Sequence, residues 1–170
     1  MFRQATLSDL EQIAAIYDHI HTEEEAGRAT VGWVRGVYPT RQTALDAIQA
    51  GDMFVAEENG RLVATAKINQ EQVPEYAEAA WTQDAPPEQV MVLHTLVVDP
   101  QAKGRGYGSV DFYESYALEH GCRYLRMDTN ERNASARALY RNLGYREVSI
   151  VPCAFNGIPG VQLVCLEKTL

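Results

Sequence analysis

The chain has 170 residues, of which 46% are hydrophobic and 22% are charged, and its formal net charge is −8 at pH 7. This balance predicts one globular domain over residues 1–170, and the negative charge argues against nucleic acid as a partner because phosphate binding needs a basic face. No apolar run suits a membrane span or a secretion signal, and three cysteines without a metal-binding spacing predict reduced thiols in a cytoplasmic protein that holds no metal.

The N-terminal pattern predicts a short strand followed by a helix. Residues 3–6 suit a strand, and Ser8 with Glu11 forms the capping-box pattern Ser-x-x-Glu. Apolar residues then recur with the helical period of 3.6 as far as His21. The first helix is therefore expected over about 9–21.

A second helix and a hairpin are predicted next. Thr40 is the expected N-cap of a helix that Gly51 ends. The Asn-Gly pair at 59–60 separates two strand-like runs, 53–58 and 62–68. Because this dipeptide suits a two-residue turn between strands, the two runs should form a hairpin.

The second half of the chain predicts alternating strands and helices. The proline-containing, acidic segment 69–88 should be irregular, and the β-branched run 90–98 indicates a buried strand. The remaining elements are expected as a helix at 106–120, a strand at 124–128, a helix from Asn133 or Ser135 to Leu143, and strands at 145–155 and 161–170 around an Asn-Gly turn. This order predicts an α/β protein with a mixed sheet covered by helices.

A glycine-rich turn joins the 90–98 strand to the following helix. Gly104, Gly106 and Gly108 stand at alternate positions, where they permit positive φ and close backbone approach. Their N–H groups at a helix N-terminus would suit a pyrophosphate, and Lys103 and Arg105 would add positive charge. A surface turn without a ligand would have the same composition.

Two other phosphate-binding motifs are excluded. No G-x-x-x-x-G-K-[ST] string occurs in the chain. A dinucleotide-binding G-x-G-x-x-G motif would need a third glycine where Ser109 follows Gly104 and Gly106. A nucleotide-binding enzyme of another fold is therefore disfavoured.

The segment Lys103–Gly108, preceded by Leu96-Val97-Val98-Asp99-Pro100, resembles motif A of the GNAT superfamily of N-acetyltransferases. The later segment from Asp128 to Tyr145 is similar to motif B of that family, and the resemblance covers about 91–145. It implies a GNAT-like fold with a central, mostly antiparallel sheet of about seven strands and about four helices. It also implies one acyl-CoA N-acyltransferase domain over 1–170, with acetyl-CoA as co-substrate.

The resemblance assigns roles by position. Backbone groups of Leu96 and Val98 would bind the pantetheine arm of acetyl-CoA, and Asn133 would contact the same arm. Tyr140 would lie near the thioester sulfur. The residues expected to hold the pyrophosphate are Lys103, Gly104, Arg105, Gly106, Gly108 and Ser109.

The implied reaction is direct attack of a primary amine on the thioester in a ternary complex. Such an amine has a pKa of ~10.4, so a base must remove its proton. His94, expected on the same face as Leu96, is one candidate base; a purely structural histidine is the alternative, and a water chain to Glu88 is another route. Tyr140 is the expected acid for the leaving thiolate, although its apolar helical stripe would also suit the core.

The acceptor is expected to be a small-molecule or peptide amine. The resemblance places it against residues 28–40 and 155–160, where Trp33, Arg35 and Tyr38 are candidates for contact with it; an ordinary packed loop would have a similar sequence. A non-catalytic acyl-CoA-binding or sensing module is the alternative function. The sequence leaves open whether the chain forms a homodimer.

Overall fold

A mixed β-sheet of seven strands lies at the centre of the structure, a computed structural model that describes residues 1–102, 104 and 106–170 and only the backbone of Tyr107. The strands are β1 (Phe2–Gln4), β2 (Met53–Glu58), β3 (Arg61–Asn69), β4 (Val90–Val98), β5 (Tyr124–Asn130), β6 (Arg146–Phe155) and β7 (Ile158–Thr169). Their order across the sheet is β1-β2-β3-β4-β5-β7-β6. All neighbouring pairs are antiparallel except β4 and β5, which are parallel.

The helices of the described residues cover both faces of this sheet. They are α1 (Leu10–Glu25), α2 (Arg41–Ala50), α3 (Gly106–Glu119) and α4 (Ala134–Asn142), none of which is long and apolar enough to cross a membrane. Helices α3 and α4 pack on one face around Tyr113 and Leu125, and α1 and α2 pack on the other around Ile13 and Val55. We call these the α3 face and the α1 face. The predicted mixed sheet with about seven strands and four helices is confirmed.

The start of α1 differs from the sequence-based expectation. The predicted capping box of Ser8 and Glu11 is wrong, because residues 7–9 form a short 3-10 turn ahead of the helix. The Asp9 carboxylate instead accepts the Thr6 amide hydrogen at 2.8 Å. Arg3 binds the same carboxylate with hydrogen bonds of 2.8 and 2.9 Å, which stabilises the earlier cap. The helix also ends about one turn later than predicted.

The boundary signals of α2 and of the first hairpin are confirmed. The Thr40 hydroxyl accepts the amide hydrogen of Thr43 at 3.3 Å, and Gly51 ends the helix with a φ of +78°. Asn59 and Gly60 have φ values of +52° and +76° between β2 and β3. Two residues of positive φ are what a hairpin needs to follow the twist of its strands.

The segment 70–89 is irregular, as predicted, but it is firmly attached to the sheet. It contains 3-10 turns at Pro74–Glu78 and Pro87–Gln89 and packs over β5 and β7 on the α1 face. The Arg126 guanidinium lies 4.3 Å from the centre of the Trp81 ring. The Thr82 amide donates to the Glu167 carboxylate at 3.1 Å.

Replacing Gly60 with alanine should lower the free energy of unfolding by about 1–2 kcal/mol. A Cβ atom at Gly60 would meet no other atom within 4 Å, so backbone strain at φ +76° is the only cost. Urea unfolding measures the change. Gly60→Asn is the control, since asparagine tolerates this conformation better; an equal loss for both variants would contradict the explanation.

Candidate active site

The parallel strands β4 and β5 separate halfway along their length. Their pairing runs from Val90 with Tyr124 to Leu93 with Met127 and then ends. Strand β4 stays paired with β3 as far as Val98, and β5 stays paired with β7 through Asn130. A slot therefore opens inside the sheet, while each of its walls is held by an outer neighbour.

A β-bulge in β4 lies where the slot begins. Thr95 has a φ of +47°, a conformation that a β-branched residue rarely adopts. The register with β3 shifts at this position, from Lys67 opposite His94 to Thr65 opposite Val97. β4 therefore carries one residue more than β3 across this interval. The Tyr38 hydroxyl is hydrogen-bonded to the Thr95 hydroxyl, which ties the bulge to the loop before α2.

The bulge changes which side chains share a face of β4. Leu93 and Leu96 both pack into the core of the α3 face, although regular alternation would place residues three apart on opposite faces. His94 consequently lies on the α1 face, opposite Leu96. The expectation that these two side chains point to the same face is wrong, because strict alternation does not hold across an inserted residue.

A cleft of about 820 Å³ occupies the slot and is lined from both faces of the sheet. On the α3 face it is bordered by Gly106, at the start of α3, and by residues of α4. On the α1 face the cleft is lined by Asp128. The preceding Met127 packs into the core of the α3 face, so alternation along β5 places Asp128 on the α1 face. The cleft brings together eight of the residues predicted from the sequence: Trp33, Tyr38, His94, Leu96, Val98, Gly106, Asn133 and Tyr140.

Other predicted site residues lie elsewhere. Gly104 has the expected positive φ of +88° but does not line the cleft, and neither do Gly108 and Ser109 in the first turn of α3. Lys103 and Arg105 lie outside the described residues.

Arg35 is also not brought to the cleft. Its guanidinium pairs with Asp18 and with Glu25 of α1, the latter at 2.7 Å, and the side chain is largely exposed. Glu88, the carboxylate considered for a water-mediated base, is exposed in the 3-10 turn ahead of β4 and does not line the cleft either.

The chain entering the glycine-rich turn is anchored by Asp99. This buried carboxylate accepts hydrogen bonds from the Gln101 amide at 3.0 Å and from Arg61 at 3.0 Å, and its other contact is with His19 at 3.1 Å. Burial alone would raise the pKa of Asp99, but these partners together hold it below the usual value. Asp99 therefore fixes the path of the chain ahead of the turn.

Gly106 packs closely against α4 at the start of α3. A Cβ atom there would lie 2.9 Å from Leu139 Cδ2 of α4. Asn133 caps α4, and its side-chain oxygen accepts the Ala136 amide hydrogen at 3.2 Å. Two helix N-termini thus border the same cleft, and each carries partial positive charge.

Sequence reasoning assigned no role to Asp128, the carboxylate at the bottom of the cleft. Burial raises the pKa of Asp128 to about 6, opposed by a hydrogen bond that the Tyr76 hydroxyl donates at 2.6 Å and reinforced by the nearby Glu75. A signal was available, since Asp128 opens the motif B segment at the end of a buried strand. The position of Asp128 beside a slot, however, depends on the separation of β4 from β5.

His94 is a neutral imidazole in this environment. Burial and the nearby Lys67 lower its pKa to about 4. Its Nε2 lies 2.8 Å from the side-chain oxygen of Asn69, which can only accept a hydrogen bond, so Nε2 carries the hydrogen.

Tyr140 is buried on the cleft side of α4, with its ring edge-to-face against Tyr145. Burial, followed by the charge of Asp128, raises the pKa of Tyr140, so its hydroxyl stays protonated. That hydroxyl forms no hydrogen bond within the described part of the chain and is able to donate one into the cleft.

The site is a slot between two strands that separate. It is bordered by helix N-termini, a buried carboxylate and a protonated phenol, an arrangement that suits group transfer from an anionic donor. Residues 13–145 match the model of the Acetyltransferase (GNAT) family. The chain therefore belongs to the GNAT acetyltransferase family, and its fold is the GNAT fold.

Relatives agree with this assignment. An uncharacterized N-acetyltransferase of Bacillus subtilis is 27% identical over 97 residues, which span 56% of this chain and 58% of that protein. A GNAT-family acetyltransferase of Streptococcus agalactiae has a crystal structure with a TM-score of 0.80 at 24% identity, covering 100% of this chain and 95% of its own. The structure of yncA from Salmonella typhimurium, solved with its cofactor acetyl-CoA, has a TM-score of 0.69 at 18% identity, covering 100% and 93%. The solved structures share the fold of this chain, and the chain spans little more than half the length of the curated relative.

Replacing Asp99 with asparagine should lower the free energy of unfolding at pH 7 by about 1–2 kcal/mol, because charge-assisted hydrogen bonds are lost. The pKa of Asp99 is lowered in the folded protein, so its stabilisation is present above the unfolded value of ~3.9 and is lost as the pH falls below it. Urea unfolding at several pH values should show the gap between parent and variant closing towards pH 3. A gap that stays constant with pH would contradict this.

Proposed function

We propose that residues 1–170 form one acyl-CoA N-acyltransferase domain that transfers the acetyl group of acetyl-CoA to a primary amine of a small molecule or peptide. Attack is direct, in a ternary complex. The observation that carries the proposal is the cleft between β4 and β5, which has Asp128 on its α1 face and Tyr140 on its α3 face. A base and an acid thus border one slot from opposite sides.

The donor binds along the unpaired edge of β4. From His94 to Val98 this edge makes no ladder bonds with β5, so backbone groups of Leu96 and Val98 are available to the pantetheine arm. The pyrophosphate is placed at the N-terminus of α3, where the partial positive charge of the helix favours an anion, and Asn133 contacts the arm from the cap of α4. Bound acetyl-CoA supplies the thioester carbonyl and the thiolate leaving group.

The charges around the cleft favour a cationic acceptor. Four carboxylates and one ammonium group are among the described residues that line it: Asp46, Asp52, Glu71, Asp128 and Lys67. A protonated amine is attracted to such a surface. Trp33 and Tyr38, edge-to-face with a centroid distance of 6.1 Å, provide an aromatic wall for the rest of the acceptor.

Asp128 is the general base of this proposal. Its pKa of about 6 leaves it ionised at neutral pH, yet makes it a stronger base than His94, whose pKa is about 4. A base with a pKa nearer the operating pH removes the proton of an ammonium group more effectively. His94 then forms a neutral polar part of the cleft wall.

The proton and bond changes balance within the cleft. Asp128 takes one proton from the ammonium group, and the freed amine nitrogen bonds to the carbonyl carbon while the carbon–sulfur bond breaks. Tyr140 donates a hydrogen bond and then its proton to the leaving sulfur, and the second proton of the attacking nitrogen returns to the Tyr140 oxygen. The products are a neutral amide and the CoA thiol, and Asp128 releases its proton to solvent. None of the three cysteines lines the cleft, so no thiol of the described residues is placed to carry the acetyl group.

The direct test is release of CoA thiol with a panel of small amines, amino acids and peptides. We expect thiol release that depends on both substrates, with intersecting lines in double-reciprocal plots. Parallel lines would contradict direct attack. Acetyl-CoA binding without turnover for any amine would favour the non-catalytic binding module, and no binding of acetyl-CoA would remove the proposal.

Asp128→Asn should lower kcat by about 10²–10⁴-fold, since the amide cannot accept the proton. The dissociation constant for acetyl-CoA should change little. In the parent protein kcat/KM should rise as the pH increases through about 6, because the ionised carboxylate is the active form. Glu88→Gln is the matched control and should retain parental activity, since Glu88 is exposed outside the cleft; equal losses for the two variants would refute the assignment.

Tyr140→Phe should lower kcat by about 10²-fold while acetyl-CoA binding is retained, because only the proton donor is removed. Tyr116→Phe on α3 is the control, as Tyr116 packs against Phe54 and does not line the cleft. Steady-state kinetics and isothermal titration measure the two effects. Unchanged kcat in Tyr140→Phe would leave Tyr140 as a core residue.

A further inference from the structure

Tyr76 connects the segment 70–89 to the bottom of the cleft. Its side chain is 3% exposed, and its hydroxyl donates to Asp128 Oδ2 at 2.6 Å. Asp128 Oδ1 has no hydrogen-bond partner within the described residues and is not enclosed, so it faces the cleft. One carboxylate oxygen is thus occupied by Tyr76 and the other is presented to the acceptor.

We propose that Tyr76 is a positioning residue, which holds the Asp128 carboxylate by one oxygen and thereby sets the pH range in which Asp128 serves as a base. This inference rests on the proposed function, in which Asp128 accepts the proton of the amine. Tyr76 does not line the cleft and acts only through Asp128.

The position of Tyr76 is enforced by its own segment. The Trp81 indole N–H donates to the Tyr76 carbonyl oxygen at 2.8 Å, and the two rings meet edge-to-face at 5.1 Å. Trp81 is held in turn by the guanidinium of Arg126, which also donates to Gln72 at 2.7 Å. Arg126 and Asp128 are two residues apart on β5, so the segment is fixed to the strand that carries the base.

The hydrogen bond from Tyr76 favours the charged form of Asp128, whereas the other surroundings of this carboxylate oppose it. Burial and Glu75 both raise the pKa of Asp128, and the Tyr76 hydroxyl lowers it. The titratable groups near Asp128 are Glu75 and Tyr76 from segment 70–89, Tyr38 from the loop before α2, Tyr140 from α4, Cys153 from β6 and Cys165 from β7. Those that share the cleft lining with it also include Asp46 of α2, Asp52 ahead of β2, Lys67 of β3, Glu71 of segment 70–89 and His94 of β4. Lys67 is the cation among these groups. The pKa of Asp128 departs from its usual value because of burial, the Tyr76 hydroxyl and Glu75.

Removal of the hydroxyl therefore has a predictable direction. In Tyr76→Phe the folded-state pKa of Asp128 should rise, because a hydrogen bond to its ionised form is lost. The acid limb of kcat/KM should move upward by about one to two pH units, as expected for one hydrogen bond to a charged group. At pH 6.5 kcat/KM should fall by about three- to 25-fold, the loss of ionised carboxylate for a shift of one to two units from a pKa of about 6, whereas at pH 9 it should approach the parental value. The KM for acetyl-CoA should stay constant.

Tyr113→Phe is the matched control. Tyr113 is equally buried, and its hydroxyl contacts the carbonyl oxygens of Met91 at 2.6 Å and Arg126 at 3.2 Å rather than the Asp128 carboxylate. Its loss should lower stability without moving the acid limb. If the acid limb of the kcat/KM profile moves equally in both variants, or in neither, the role of Tyr76 is overturned.

Direct titration separates this inference from the proposed function. Carbon-13 NMR of aspartate carboxyl groups, with Asp128 assigned by its absence in Asp128→Asn, should show a higher titration midpoint in Tyr76→Phe than in the parent. If Asp128→Asn keeps full activity, the proposed base is wrong, whereas an unshifted Asp128 midpoint in Tyr76→Phe refutes the role of Tyr76. Trp81→Phe removes the indole hydrogen bond to Tyr76 and reduces the ring surface under Arg126. It should produce a smaller shift in the same direction, and it provides the test if Tyr76→Phe does not fold.

Discussion

The separation of β4 from β5 is the constraint on which the rest of the site depends. Two parallel strands that stop pairing would normally leave backbone groups unsatisfied inside the sheet. Here each strand keeps its outer partner, and the strained backbone of Thr95 inserts one residue at the point of separation. The inner edges that remain are the natural partners for an extended ligand with amide groups, such as a pantetheine arm.

The slot also divides the chemistry between the two faces of the sheet. The α3 face contributes helix N-termini, which suit an anionic donor, together with the phenol of Tyr140. The α1 face contributes carboxylates and aromatic rings, which suit a cationic acceptor. In the proposed function, a ligand on each side meets the other within the slot, as a ternary complex requires.

The segment 70–89 shows how an irregular region can support a reaction without contributing regular structure. In the proposed function, burial of Asp128 makes it a better base but also opposes its ionisation, since desolvation disfavours the charged form. A single hydroxyl from Tyr76 offsets part of that effect. The cation–π contact of Arg126 with Trp81 keeps the donor in place, so a surface excursion is tied to the strand that carries the carboxylate.

The sequence by itself determined the element order, most boundaries and the family, because caps, turn dipeptides and apolar periods are local signals, as the Thr40 cap and the turn at Asn59 show. It also placed Tyr140 and Asn133 beside the cleft through their motif. Only the tertiary structure decided the face of His94 and the environment of Asp128. A bulge reverses side-chain alternation without a sequence signal, and a carboxylate becomes a base through burial by residues distant in the chain.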